Sequence, residues 1–202
     1  MHIGIDFDNT IVCYDNLFHK VAVEKNLIPE NLAKSKLAVR DYLRAAGIEE
    51  RWTAMQGEVY GGRICEAVAY DGAIDFIEQM AEIGHSISII SHKTRHPLSG
   101  SDYDLHAAAQ SWIDTYLVPR LTKKALSISA HFELTKDEKL GRIKQCACSV
   151  FIDDLPEILL AEKFPSATQR LLFDPEGRHL EIPGGLDRFS SWTELARHFG
   201  QP

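Results

Sequence analysis

The sequence predicts an α/β fold: a parallel sheet flanked by helices, with a small helical cap inserted after the first strand. Three observations carry this. Short apolar runs of strand character recur along the chain, helical patterns separate them, and one long stretch near the start has helical periodicity without a convincing strand. Strands that alternate with helices imply parallel pairing covered on both faces.

The first strand is the run Ile3 to Ile5, which ends in acidic residues. Ser86-Ile87-Ser88-Ile89-Ile90-Ser91 has the β-branched character of a buried strand, and Ser149-Val150-Phe151-Ile152 and Arg170-Leu171-Leu172-Phe173 repeat the style. Before the second of these runs, Ile74, Ile77, Met80 and Ala81 share a helical face, and Gly84 supplies the stop. A helix over about Leu105 to Leu117 turns Trp112, Ile113 and Tyr116 to the core. Ser191-Trp192-Thr193-Glu194 reads as a capping box opening a last helix, and Pro183-Gly184-Gly185 as a turn before it, within a loop from Asp174 to Arg188.

Residues 15–70 break the alternation, with helical patterns around Leu17 to Lys25, Asn31 to Ala46 and Glu49 to Gln56. They are assigned to the inserted cap, and 1–14 with 71–202 to the core domain. Gly61 and Gly62 either hinge the cap or simply turn the chain. The 202 residues suffice for one principal domain with a modest insertion.

A formal net charge of −7 opposes broad binding to nucleic acid or to an anionic membrane, so the partner expected is a small molecule. Four scattered cysteines do not make the disulfide framework of a secreted scaffold. The N-terminus lacks the pattern of a signal peptide, and no apolar run approaches the roughly 18 residues of a membrane span. A cytoplasmic enzyme fits these features, with its oligomeric state open.

In an open parallel sheet, ligands sit beyond the carboxyl ends of the strands. Here three strand ends carry chemistry: Asp6 and Asp8 after the first, Ser91 with His92 and Lys93 after the second, and Asp153 with Asp154 after a later one. A turn beginning at the first strand end can aim Asp6 and Asp8 at one centre. One carboxylate can then attack phosphorus while the other protonates the leaving oxygen and later activates water. Mg2+ prefers a few carboxylates together with water and substrate oxygens, and Asp153 and Asp154 can complete such a shell with Asp6 and Asp8. Ser91 and His92 can contact phosphate oxygens, as can a lysine before the acidic pair. Lys139 is the first choice, with Lys136 and then Lys144 behind it. Lys93, Arg95 and His96 form a basic loop, read mainly as solvated. Tyr60 and Arg63 in the cap are read as a packing residue and an exposed one.

These residues in this order resemble the haloacid dehalogenase (HAD) superfamily of phosphatases. Asp6-Phe7-Asp8-Asn9-Thr10 is similar to its first motif, Ser91 to its second, Lys139 to its third and Asp153-Asp154 to its fourth. The resemblance implies a Rossmann-like core, Asp6 as nucleophile, Asp8 as general acid and base, and Mg2+ held by Asp6, the backbone carbonyl of Asp8 and one of Asp154 and Asp153. Tyr70-Asp71-Gly72-Ala73 and the stretch Thr135 to Lys139 are also similar to the 5′-deoxyribonucleotidase branch. The function so implied is a magnesium-dependent phosphatase hydrolysing a small phosphomonoester, a nucleotide or sugar phosphate, through an aspartyl-phosphate. The alternatives are a phosphomutase or phosphotransferase, or a catalytically silent binding module.

Overall fold

The computed structural model describes residues 1–179 and 186–200, so the turn expected at Pro183-Gly184-Gly185 lies outside the described residues. The chain divides into two compact units. The first holds Met1–Val12, Ala69–Lys93 and the chain from Leu117 onward, and the second holds Cys13–Val68 and Thr94–Tyr116.

The strands along the chain are β1 (His2–Ile5), β2 (Val12–Cys13), β3 (Val68–Ala69), β4 (Ser86–His92), β5 (Ser129–Glu133), β6 (Val150–Asp153), β7 (Gln169–Phe173) and β8 (Asp187–Phe189). The α-helices are α1 (Asp15–Glu24), α2 (Lys36–Ala45), α3 (Glu49–Gly57), α4 (Ala73–Glu82), α5 (Leu105–Tyr116), α6 (Val118–Thr122), α7 (Lys136–Gln145), α8 (Pro156–Leu159) and α9 (Trp192–His198). Among the described residues, no helix is long and apolar enough to cross a membrane.

In the first unit, six strands form one sheet in the order β5-β4-β1-β6-β7-β8. Every pairing is parallel. The chain builds outward from β1 through β4 to β5, then returns to the other side of β1 with β6. That reversal between β1 and β6 is the topological switch point at which α/β sheets open a crevice. β1 is flanked on both sides, with Ile3 opposite Ile87 and Val150, which explains its unbroken apolar character. Gly4 lies opposite Phe151, and a Cβ there would stand 2.5 Å from the Phe151 ring, so only glycine lets that ring lie on the strand.

One sheet face is covered by α7 and α8, with Leu140, Ile143, Ile158 and Leu159 packed on Ile90, Phe151 and Leu172. An aromatic group of Phe76 on α4, Trp192 on α9 and Phe173 on β7 belongs to a second cluster, with ring centroids 5.1 and 5.3 Å from the Trp192 ring. Trp192 also donates from Nε1 to the carbonyl of Thr10 at 3.2 Å.

Two edge regions differ from the expectation. β5 has only half-buried residues after an exposed first one, and β8 begins at Asp187, inside the stretch read as a loop. Polar edge strands lack the continuous apolar run that marks a central one. At α9 the Ser191 hydroxyl accepts from the amide of Glu194, as expected, and the Glu194 carboxylate accepts mainly from the amide and hydroxyl of Ser190. A reciprocal capping box stands at Thr135 and Glu138, opening α7.

The second unit is helical and has its own core. Phe18 of α1 stacks on Trp52 of α3 at 4.6 Å, with Val39, Leu43, Met55 and Val59 also buried. It takes in α5, which the sequence reading placed with 71–202. Trp112 and Ile113 are buried there, and Trp112 donates from Nε1 to the carbonyl of Ala67 at 2.9 Å. Tyr116 is 39% exposed, contrary to its expected place in the core, and its hydroxyl reaches the carbonyl of Cys65. Gly61 and Gly62 lie under Tyr103, where a Cβ on Gly61 would meet the ring's Cγ at 2.6 Å. Close packing, rather than positive φ, is the reason for these two glycines. Arg63 is not an exposed cation: it is paired with Glu24 and Glu66, and its side chain is 20% exposed. Tyr60 packs edge-on to Tyr14 at 4.8 Å.

Candidate active site at the strand ends of the first unit

Asp6 follows β1, and its amide continues the parallel ladder by donating to the carbonyl of Ile152 at 2.9 Å. The chain then turns sharply. The carbonyl of Phe7 accepts from the amides of Ile11 at 3.1 Å and Val12 at 3.0 Å, and Asn9 adopts the left-handed region at φ 58°. Asparagine is among the few side chains that accept this conformation readily.

Lys139 arrives from α7. The capping box at Thr135 and Glu138 sets the start of the helix, and Lys139 follows it within the first turn. Its Nζ lies 2.6 Å from Oδ1 of Asp6 and 2.7 Å from Oδ2 of Asp153. Burial by itself lowers the pKa of Lys139, but Asp153 and Asp6 outweigh it and hold the ammonium protonated well above its ordinary range. For Asp153, burial wins over the pull of Lys139 and pushes the carboxyl up to about 6.

Asp153 ends β6 fully buried, and its second oxygen, Oδ1, accepts from the amide of Leu155 at 2.9 Å. Asp154 is half-buried. Thr10 Oγ1 stands 3.4 Å from Oδ2 of Asp6 and 3.4 Å from Oδ1 of Asp154. Asp6, Asp153 and Asp154 each offer an oxygen, and these lie within 4.8 Å of one another. An all-carboxylate donor set of this size can hold a metal ion and suits a hard cation such as Mg2+.

Ser91 is buried at the end of β4, paired across to Phe132 of β5. His92 is half-buried, and its Nδ1 is buried without a partner among the described residues. Burial, followed by the charge of Lys139, pushes its pKa below the usual histidine range and so favours the neutral ring. Asp8 carries a different contact: Nζ of Lys93 lies 3.1 Å from its Oδ1.

The structure therefore gathers Asp6, Lys139, Asp153 and Asp154 in direct proximity. It leaves Lys136 on Glu157 at 2.7 Å and Lys144 exposed. The basic loop does not act as one. Lys93 is buried, whereas Arg95 pairs with Asp104 at 2.9 Å and His96 with Asp102 at 2.7 Å in the second unit. Sequence reasoning assigned no role to Thr10. Its position in the segment with Asp6 and Asp8 was the available signal.

The fold is the haloacid dehalogenase-like one, shared with the solved structures that are similar to this chain. A HAD-hydrolase of Bacillus subtilis bound to magnesium, YfnB, matches over 98% of this chain and 97% of its own with a TM-score of 0.55 and 12% identity. A haloacid dehalogenase-like hydrolase from Burkholderia xenovorans matches over 98% and 96% with a TM-score of 0.57 and 13% identity. A phosphoserine phosphohydrolase-like protein from Francisella tularensis matches over 98% and 98% with a TM-score of 0.57 and 18% identity. No protein-family model matches the sequence, and no curated protein matches it.

Proposed function

We propose that the protein is a magnesium-dependent phosphatase that hydrolyses a small phosphomonoester through an aspartyl-phosphate on Asp6. The observation that carries this reading is the placement of Asp6 at the switch point, held by Lys139 and facing the Asp153-Asp154 pair. Asp6 and Asp154 are the residues that would hold Mg2+ directly: Asp153 is fully buried and accepts at each oxygen, from Lys139 at 2.7 Å and from the amide of Leu155 at 2.9 Å, whereas the contact at Oδ2 of Asp6 is the longer one of 3.4 Å to Thr10. Bound there, the ion would offset repulsion between the carboxylates and an incoming phosphate.

The chain's own residues divide the remaining work. A carboxylate oxygen of Asp6 bonds to phosphorus as the ester bond breaks, and Asp8 gives its proton to the departing oxygen. Asp8 then removes a proton from water, whose oxygen attacks phosphorus and releases Asp6 and inorganic phosphate. Lys139 keeps Asp6 in one orientation, and Ser91 and His92 contact the non-bridging oxygens. Asp8 favours ester hydrolysis over dehalogenation, because a halide leaves without a proton and an alcohol does not.

The test is release of inorganic phosphate, with Mg2+, from a generic aryl phosphate and from a panel of sugar phosphates and deoxyribonucleoside monophosphates. Turnover that is lost by about a thousand-fold or more in Asp6→Asn, with the fold retained, supports the covalent mechanism. Transfer to a second sugar in place of water indicates a phosphotransferase, return to another hydroxyl of the same sugar a phosphomutase, and no turnover across the panel a silent binding module.

A further inference from the structure

Lys93 lies two residues beyond Ser91, and its backbone prolongs the sheet: its amide donates to the carbonyl of Glu133 at 2.9 Å. Its side chain is buried, with Nζ 3.1 Å from Oδ1 of Asp8 and 5.4 Å from the centre of the Phe7 ring. Phe7 in turn packs edge-on against Phe132 at 5.9 Å, so an apolar wall backs the ammonium. A lysine is buried at such a place only when its charge is paired, and the pair fixes the geometry of both partners. The two backbones are held independently, Lys93 by the ladder to β5 and Asp8 by the tight turn through Asn9.

We propose that Lys93 is a positioning residue for Asp8, orienting the carboxyl group so that its other oxygen delivers the proton to the leaving group. This rests on the phosphatase reading and adds to it a residue that acts through Asp8. The terminal torsion of an aspartate is broad and nearly two-fold, so each bond that holds one of its oxygens narrows the directions in which the other can deliver a proton. The ammonium on Oδ1 is such a bond. Lys93 itself neither forms nor breaks a bond, and the proton passes from Asp8 to the oxygen whose bond to phosphorus is breaking.

Such a role has a signature that a structural role lacks. A phenol of low pKa leaves as its anion without help, whereas a poor leaving group depends on general acid catalysis worth roughly 100- to 10,000-fold. The experiment measures kcat/KM with Mg2+ for a series of substituted phenyl phosphates whose phenol pKa runs from about 4 to about 10. Lys93→Met is expected to steepen the fall in rate with leaving-group pKa, with a loss about ten-fold or more larger for the poorest leaving group than for the best. Lys93→Arg recovers part of that difference, and in an Asp8→Asn background Lys93→Met adds little.

An equal loss across the series overturns the positioning role, as does a full additional loss on top of Asp8→Asn. Should Lys93→Met fail to fold, Lys93→Gln keeps a polar group of similar reach and carries the same comparison. Wild-type protein that turns over none of the esters removes the phosphatase reading and this role with it. A wild type that is active and sensitive to Asp6→Asn, combined with an unchanged slope in Lys93→Met, removes the role of Lys93 alone.

Discussion

Nζ of Lys139 and Oδ2 of Asp153 stand 2.7 Å apart with both side chains fully buried. Asp6 shares the same ammonium at 2.6 Å, so one cation serves two carboxylates in a region without solvent to screen them. Removing it leaves both charges without their main partner. Lys139→Met is expected to lose about 3–5 kcal/mol of stability, the usual cost of breaking a buried pair from one side. Urea unfolding at neutral pH checks this, and a loss below about 1 kcal/mol contradicts it.

The two neighbouring aspartates should separate cleanly. On the proposed reading Asp154→Asn removes a direct ligand, and the Mg2+ affinity of the variant should fall by more than the roughly 10- to 100-fold typical of losing an outer-shell partner. Asp153→Asn takes a pairing carboxylate from Lys139, so its larger effect should be on unfolding. Calorimetric Mg2+ titration and urea unfolding of both variants measure the two effects side by side.

Acid should weaken the second unit through Glu66. The hydrogen bond from Arg63, then that from Lys20, holds its carboxyl down at about 2 from an ordinary value of 4.5. A carboxylate lowered in the folded state binds its proton first in the unfolded chain, so its contribution is complete above about 4.5 and is lost as pH falls through about 2. The expected outcome is a wild-type advantage over Glu66→Gln in urea midpoint that is constant near neutrality and shrinks towards zero between those two values. An advantage that grows on acidification has the wrong sign.

Thiol reactivity should divide by burial. Cys65 is exposed, whereas Cys148 is buried with its thiol pushed up to about 12, mainly by desolvation. Thiolate is the reactive form. Iodoacetamide at mildly alkaline pH should label Cys65 in the native protein and reach Cys148 only after unfolding, as peptide mass spectrometry would record.

Much of the site was legible because its signals are local. An apolar run closing on Asp6-Phe7-Asp8-Asn9-Thr10 states a strand and a turn within ten residues. Strand ends of a parallel sheet share one edge, so Asp6, Ser91 and Asp153 could be brought together without coordinates. β5 and β8 escaped notice because edge strands mix exposed and buried positions. α5 was found, but its apolar face does not say which partner covers it.

By itself the sequence determined the α/β order, the acidic strand ends and the chemistry those residue types allow, since propensity, periodicity and turn chemistry act over a few neighbours. The sequence ranked Lys139 ahead of Lys136, but tertiary structure decided that Lys139 meets Asp6, and it alone decided that Lys93 leaves the solvent for Asp8. Those pairs join residues 133 and 85 positions apart. The burial and pairing of a charge depend on whatever the fold brings against it, and at such separations no local pattern carries that information.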